Sequence, residues 1–194
     1  MYKIDFSSLF KKGITPIKED FGIFLICGYQ GSGKGYYATY NLIRNHKNKN
    51  CKTNVKTLKT DTNKIEYFTH IEDIYHDTED GFVYIIDELS KKFPKNAPLD
   101  REFYSWLQQS RKKSRYVYLI TQEYLNVPQW LRGVANMVYV TSKIRFLPLF
   151  ITYLGRPVLN EDMDWTIEIK DAIIYKRTFD VASSYDTLEG IEQL

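Results

Sequence analysis

This sequence has only two cysteines, no long apolar run and no large excess of positive or negative charge. The two cysteines, Cys27 and Cys51, have spacings to each other and to the three histidines that match neither a disulfide framework nor a zinc site. The longest apolar stretch, residues 146–155, has about half the length that a bilayer span requires. Residues 1–13 lack the apolar core of a signal peptide. We therefore expect a protein of a reducing compartment that is not secreted and has no transmembrane segment of its own.

Charge and length set further bounds on the class of protein. The net charge of +3 and the isoelectric point of about 8.6 are too mild to indicate a nucleic-acid binder by themselves. Basic residues do cluster at 45–59 and 111–115, and such clusters are typical of either nucleic-acid contacts or a solvated surface. A chain of 194 residues is long enough for one α/β domain and too short for two of ordinary size, so we predict a single domain over 1–194.

Short apolar runs alternate with amphipathic segments along the chain. The runs that read as fully buried strands are 21–27, 82–88, 115–122 and 137–140. Helical spacing of apolar residues follows the first run at 36–43, fills 99–114, and begins again after Pro128. This alternation predicts a parallel sheet covered by helices. We also expect a strand near 54–59, a turn of helix at 71–76, and antiparallel strands around a turn at Lys170 and Asp171.

A glycine-rich loop separates the first apolar run from the first helical segment. Residues 28–34 read GYQGSGK and match G-x-x-x-x-G-K, in which glycines let backbone N–H groups wrap a phosphate and the lysine reaches the β and γ oxygens. The dipole of the helix that starts there favours the same anion. We therefore predict a nucleotide site formed by Gly28, Gly31, Ser32, Gly33, Lys34, Gly35 and Tyr36.

Polar residues follow two other apolar runs where each run ends. Asp87 and Glu88 come after FVYII, and Gln122 comes after YLIT. The carboxyl ends of parallel strands face the crevice in which α/β folds bind ligands. We assign Asp87 to a Mg²⁺ ion, Glu88 to polarisation of the attacking water, and Gln122 to hydrogen bonds with the γ-phosphate and that water. We expect the strands that end in Asp87 and Gln122 to neighbour the strand before the loop.

The ordered motifs resemble a known family. GYQGSGKG, FVYIIDE and YLITQ, followed by QWLRGVANMVYV and YKRTFDVASSYDT, resemble the zonula occludens toxin-like family, the assembly ATPases of filamentous phages. That family belongs to the FtsK/HerA superfamily of DNA-pumping motors, which also contains genome-packaging ATPases of tailless icosahedral viruses. The similarity covers roughly residues 22–187. It implies a three-layer α/β P-loop NTPase domain (ASCE, RecA-like) with a mostly parallel sheet, a motif core at 22–142, and C-terminal strands and a tail at 143–194.

The resemblance also implies an activity and partners. The implied activity is hydrolysis of ATP with Mg²⁺, coupled to DNA translocation in packaging or virion assembly by a homo-oligomeric ring in the host cytoplasm or on the virion. Lys34, Asp87, Glu88 and Gln122 would keep the roles given above, and a neighbouring subunit would supply a catalytic arginine. Arg111 is our first choice for that arginine, with Arg115 and Arg132 as alternatives, because the superfamily commonly has a basic residue just before the strand that ends in Gln. A portal or membrane protein that recruits the motor is a further expected partner.

Two departures from the family pattern keep other functions open. Family members often continue into a membrane span, and because we expect none here, packaging into a preformed shell gains weight over export. Gly35 stands where the superfamily has a Ser or Thr bound to Mg²⁺, but Mg²⁺ keeps several waters and needs few protein ligands. A glycine after the lysine also occurs in adenylate kinases, so a nucleoside monophosphate kinase is one alternative, although Tyr36 replaces their threonine and an arginine-rich lid is lacking. A nucleotide-gated binding protein without turnover is the other.

Overall fold

The computed structural model of this chain describes residues 21–144 and 146–184. Its centre is an eight-stranded sheet with the order β3-β2-β4-β5-β1-β6-β7-β8. The strands are β1 Gly22–Cys27, β2 Cys51–Thr53, β3 Ile65–Tyr67, β4 Val83–Ile86, β5 Tyr116–Thr121, β6 Met137–Lys143, β7 Leu149–Leu159 and β8 Trp165–Lys176. The helices are α1 Lys34–Asn45, α2 Leu89–Lys92, α3 Arg101–Gln109, α4 Gln129–Val134 and α5 Phe179–Ser183, with 3-10 turns at Ile71–Ile74 and Tyr124–Asn126.

The sheet is mostly parallel, as the alternation of apolar runs and helices predicted. All ladders among β1 to β6 are parallel. The antiparallel part is the β6–β7 and β7–β8 ladders at one end of the sheet. The predicted α/β class with a mostly parallel sheet is therefore confirmed.

Alternation along the strands divides the apolar side chains between two layers. In β5, Val117 and Leu119 pack on the face covered by α3 and α4, whereas Tyr118 and Ile120 pack on the face covered by α1 and α5. Both faces of β1 and β4 are buried in the same way. These strands are continuous apolar runs in the sequence because they are covered on both sides, and the helices above and below complete a three-layer arrangement.

The strand order corrects one expectation. β5 lies directly beside β1, but β4 pairs with β5 and with β2 rather than with β1. The reason is that a strand has two edges, and those of β1 are occupied by β5 and β6. Only the Gln122 strand therefore neighbours the loop strand. A strand placed between the loop strand and the acidic strand is the additional strand that the term ASCE (additional strand, catalytic glutamate) denotes, so the predicted class holds.

Two local expectations are wrong. The strand expected near 54–59 lies earlier, at Cys51–Thr53, and the chain leaves the sheet after it. The expected turn at Lys170 and Asp171 is absent because β8 is one continuous strand whose register against β7 shifts at this point. The shift leaves Lys170 as the extra residue of a β-bulge, which interrupts the apolar pattern much as a turn would.

Two shorter predictions, one helix and one helical turn, are confirmed with smaller bounds. The predicted helix over 99–114 spans Arg101–Gln109 and buries the predicted face, in which Phe103, Trp106, Leu107 and Ser110 are at most 2% exposed. The turn at 71–76 is the 3-10 turn at Ile71–Ile74. Both cysteines are buried and free of disulfides. Within 21–144 and 146–184, none of the helices has the length and apolar character needed to span a bilayer. The segment considered as a signal peptide and the tail motif from residue 185 onward lie outside the described residues.

Candidate active site

The glycine-rich loop connects β1 to α1, as predicted, and its path requires glycine. Gly31 and Gly33 have φ angles of 75° and 95°, in the left-handed region that glycine adopts without steric cost. At Gly28 a Cβ atom would lie 2.6 Å from the carbonyl oxygen of Thr141, which is main chain and cannot move aside easily. The glycines of the motif therefore stand at positions where a residue with a Cβ atom would strain or displace the backbone.

Hydrogen bonds to neighbouring strands hold the loop in place. The N–H of Gly28 donates to the carbonyl of Gln122 at 3.0 Å. The hydroxyls of Ser32 and Thr141 lie 2.9 Å apart, and Thr141 donates in turn to the carbonyl of Cys27 at 3.3 Å. The side chain of Ser32 is buried in this network, so its contribution to a nucleotide would come from its main chain.

Lys34 is the first residue of α1, and its ammonium lies inside the loop. Nζ donates to the carbonyls of Gly28 at 2.7 Å and Tyr29 at 3.0 Å. Burial lowers the pKa of Lys34, and the negative charge of Asp87 opposes that shift. The Lys34 ammonium is thus partly buried and close to a carboxylate. It is suited to bind a phosphate, because the negative charge of the phosphate replaces the interactions with water that the ammonium loses on burial.

Gly35 and Tyr36 mark the departure from the usual loop. Gly35 provides no hydroxyl, and the hydroxyl of Tyr36 is used elsewhere: it accepts from the N–H of Thr178 at 2.8 Å and donates to the carbonyl of Lys176 at 3.3 Å. The Tyr36 ring is buried and stacks on Phe150 with centroids 5.1 Å apart. Tyr36 therefore ties α1 to the end of β8, and only its main chain is available to a nucleotide.

Asp87 and Glu88 follow β4 at the same edge of the sheet as the loop. Alternation from Val83 and Ile85 assigns Asp87 to the face that α1 covers. The Asp87 Oδ1 accepts from the N–H of Glu88 at 2.7 Å. Glu88 itself has φ 57° and ψ 37°, a left-handed conformation that is uncommon for non-glycine residues. Its carboxylate is exposed and accepts from Nζ of Lys91 at 2.5 Å.

Gln122 directly follows β5, between the loop strand and the acidic strand. Its side chain is exposed, and alternation from Tyr118 and Ile120 assigns it to the face that α1 covers. The structure thus brings Lys34, Asp87 and Gln122 to one edge of the sheet, and alternation assigns Asp87 and Gln122 to the face on which α1 begins. This arrangement can hold a phosphate chain at the loop and present amide and carboxylate groups to its end.

The residues present fit a Mg²⁺ ion that takes most of its ligands from outside the protein. Within 21–144 and 146–184, no three His, Cys, Asp or Glu side chains come together as a metal site. Mg²⁺ is typically held by one or two carboxylates together with substrate phosphates and waters. Asp87 can supply one such carboxylate beside the phosphate loop.

The three arginines considered as the catalytic arginine differ in burial. Arg115 is 0% exposed and donates to the main-chain carbonyls of Glu79 at 3.0 Å and Asp77 at 2.5 Å. Arg132 is 3% exposed and pairs with Asp164 at 2.9 Å. Arg115 and Arg132 are therefore structural, and both alternatives are wrong.

Arg111 is exposed and lies away from the loop of its own chain. It borders a cavity of about 900 Å³ that is also lined by Gly22 and Ile23 at the start of β1 and by Asn136 before β6. This is the amino-terminal edge of the parallel strands, opposite the edge at which Lys34 and Asp87 lie. Arg111 is thus not part of the site in its own chain, and a role in a neighbour's site stays a prediction.

One further polar residue at the carboxyl edge was not predicted. Asn54 follows β2, and its side-chain amide hydrogen-bonds the main chain of Asp87. Asn54, Asp87 and Glu88 line one side of a cavity of about 220 Å³. The sequence signal for Asn54 was weak, because a single asparagine in a segment rich in Lys, Asn and Thr is typical of a surface loop.

Comparison with known proteins gives both a family and structural neighbours. The sequence profile of the family "Zonular occludens toxin (Zot)" matches residues 22–187. The structure is similar to the N-terminal domain of zonular occludens toxin from Neisseria meningitidis, with 20% identity, 87% of this chain and 100% of that chain covered, and a TM-score of 0.62. No curated protein sequence matches this chain significantly.

Two more solved structures share the fold at lower identity. The genome packaging NTPase B204 from Sulfolobus turreted icosahedral virus 2, in complex with ATP-gammaS, has 14% identity, covers 79% of this chain and 98% of its own, and has a TM-score of 0.55. The RadB recombinase has 12% identity, covers 82% of this chain and 88% of its own, and has a TM-score of 0.54. These similarities establish the predicted P-loop NTPase fold of the RecA-like type.

The different burial of Arg115 and Arg111 predicts that removing them changes stability by very different amounts. Arg115→Ala should lower the free energy of unfolding by about 3 kcal/mol, because it removes the donors to the carbonyls of Asp77 and Glu79 and the packing against Tyr84 and Trp106. Arg111→Ala, at an exposed position, should change it by no more than about 0.5 kcal/mol. Urea unfolding of the two variants measures both values. Equal stability of the two variants would show that Arg115 is not a structural residue.

Proposed function

The chain belongs to the zonular occludens toxin (Zot) family, and from this premise we propose that it is an ATPase that couples hydrolysis of ATP, with Mg²⁺, to DNA translocation in viral genome packaging or virion assembly. The observation that carries the proposal is the convergence of Lys34, Asp87 and Gln122 at one edge of the sheet, beside a loop that is already shaped for phosphate. The genome packaging NTPase B204, crystallised with ATP-gammaS, supports both the nucleotide and the process.

Each residue of the site has a defined role in this proposal. The main chain from Gly28 to Tyr36 and the ammonium of Lys34 hold the β- and γ-phosphates, and Asp87 holds the metal. A bound Mg²⁺ ion neutralises phosphate charge. The Glu88 carboxylate accepts a proton from the attacking water, and Gln122 orients that water through its amide. Because Glu88 is exposed and paired with Lys91, it has to leave this ion pair to act as the base.

The proposed assembly is a homo-oligomeric ring. An arginine that acts on a neighbour's nucleotide has to lie on a surface away from its own site, and Arg111 meets this requirement at the opposite edge of the sheet. DNA, single- or double-stranded, is the proposed moving substrate, and a portal or membrane protein is the proposed docking partner. Host cytoplasm or the virion is the corresponding location.

A nucleotide-gated binding protein without turnover is the second candidate function. The observation that favours it is Gly35, because the position that normally supplies a metal-ligating hydroxyl has no side chain and Tyr36 does not replace it. A third candidate, a nucleoside monophosphate kinase, transfers the γ-phosphate to AMP rather than to water. The two tests that follow distinguish these functions.

Removing the proposed base while keeping its shape should stop the chemistry and leave binding intact. Glu88→Gln should bind ATP with unchanged affinity and hydrolyse it at least ~100-fold more slowly than the wild type. Lys34→Ala should lose binding as well. Phosphate release and nucleotide affinity are measured with ATP alone, with ATP and DNA, and with ATP and AMP.

Each arm of this measurement separates one alternative. We expect phosphate release that DNA stimulates, and no conversion of AMP to ADP. A matched control is Glu123→Gln, which changes an exposed carboxylate next to Gln122 and should hydrolyse ATP at close to the wild-type rate. Wild-type turnover in Glu88→Gln would show that Glu88 is not the base, and stoichiometric formation of ADP from AMP would identify a kinase.

Restoring the missing hydroxyl should change the metal requirement of the reaction. If Asp87, phosphates and waters hold Mg²⁺ in the wild type, Gly35→Ser should lower the Mg²⁺ concentration that gives half-maximal hydrolysis. The measurement is a Mg²⁺ titration of ATPase rate for both proteins, with DNA present and at concentrations at which the protein is assembled. A wild type that is inactive at every Mg²⁺ level, beside an active Gly35→Ser, would contradict the motor and favour the binding protein.

A further inference from the structure

The side chain of Asn54 continues the contact between β2 and β4 beyond the point where the strands stop pairing. The last paired residues of the two strands are Thr53 and Ile85. Beyond that pair, Asn54 Nδ2 donates to the carbonyl of Asp87 at 3.0 Å, and the N–H of Asp87 donates to Asn54 Oδ1 at 2.8 Å. Both main-chain polar groups of Asp87 are therefore held by one side chain from the neighbouring strand.

The chemistry of this contact favours asparagine over similar residues. Asparagine offers a donor and an acceptor on one short side chain, as a peptide group does, so it can satisfy an N–H and a carbonyl of the same residue. Aspartate could only accept, and leucine, which has a similar shape, could do neither. Glutamine carries the same groups on a longer stem.

The contact acts on the two acidic residues of the site. Asp87 Oδ1 accepts from the N–H of Glu88 at 2.7 Å, so three successive main-chain groups, the N–H and carbonyl of Asp87 and the N–H of Glu88, are bound by side chains. Glu88 directly follows in its left-handed conformation. Such a conformation persists only where the surrounding structure holds it in place, and Asn54 provides part of that support.

We propose that Asn54 is a positioning residue of the ATPase site, which acts through Asp87 and sets the directions of the Asp87 and Glu88 carboxylates. This inference rests on the proposed function. Without the amide, residues 87 and 88 are free to relax toward ordinary backbone angles, which would move both carboxylates. A displacement of about 1 Å in a reacting group can cost on the order of 10²-fold in rate.

The test compares Asn54→Ala with a matched control, Asn63→Ala. Asn63, which lies just before β3, also donates two hydrogen bonds from its amide to main-chain carbonyls, those of His46 at 2.7 Å and Lys49 at 2.8 Å in the segment between α1 and β2. We expect Asn54→Ala to lower kcat by at least ~10-fold and to change the Kd of a non-hydrolysable ATP analogue by less than ~3-fold. Asn63→Ala should lower the thermal midpoint of unfolding at least as much as Asn54→Ala does, and its kcat should stay at the wild-type value.

A second readout does not depend on turnover. The affinity for Mn²⁺ in the presence of the non-hydrolysable analogue, measured by electron paramagnetic resonance, should fall at least ~3-fold in Asn54→Ala and stay unchanged in Asn63→Ala, because only Asn54 orients the metal-binding carboxylate. Equal kcat and Mn²⁺ affinity in the two variants would overturn the inference. A wild type that binds nucleotide and metal without turnover would contradict the proposed function instead, while the Mn²⁺ comparison would still decide the role of Asn54.

Discussion

Parallel pairing of β1, β4 and β5 is the constraint on which the rest of this structure depends. Parallel strands end at the same edge of a sheet, so strand pairing collects there the residues that follow the strands, which are the phosphate loop, Asp87 and Gln122. Burial of both faces fixes the register, because a slip by one residue would turn every core side chain to the opposite face. The same alternation decides that Asp87 and Gln122 share the face on which α1 begins.

Polar residues at the two edges of the sheet differ in burial. Near the amino-terminal edge, Arg115 is fully buried and donates from Nε and Nη2 to main-chain carbonyls, so it stabilises a loop. At the carboxyl edge, Glu88 and Gln122 are exposed, and Glu88 adopts a backbone conformation that is costly for a residue with a side chain. Arg115 thus stabilises the fold, whereas Glu88 and Gln122 are exposed and can reach a ligand.

The sequence predicted the parts of the fold that depend on local patterns. Strands buried on both faces and the buried face of α3 could be predicted because they are apolar runs or have clear helical periodicity. The position of Lys34, Asp87, Glu88 and Gln122 at the carboxyl edge could be predicted because each comes after such a strand, whereas their roles stay predictions. The bulge at Lys170 was mistaken for a turn, since both interrupt alternation. The strand order and the role of Asn54 could not be predicted, because they depend on contacts between distant segments; Asn54 and Asp87 are 33 positions apart. Burial, which periodicity alone did not reveal, separated Arg111 from Arg115 and Arg132.

The central claim is that hydrolysis at this edge moves DNA, and displacement of streptavidin from end-biotinylated DNA tests it most directly. The assay uses the assembled wild-type chain with ATP and Mg²⁺ on single-stranded and on double-stranded DNA, with Glu88→Gln as the inactive control. We predict that the wild type releases streptavidin from one of the two substrates only while ATP is hydrolysed, and that Glu88→Gln releases none. Hydrolysis by the wild type with no release from either substrate would contradict the account.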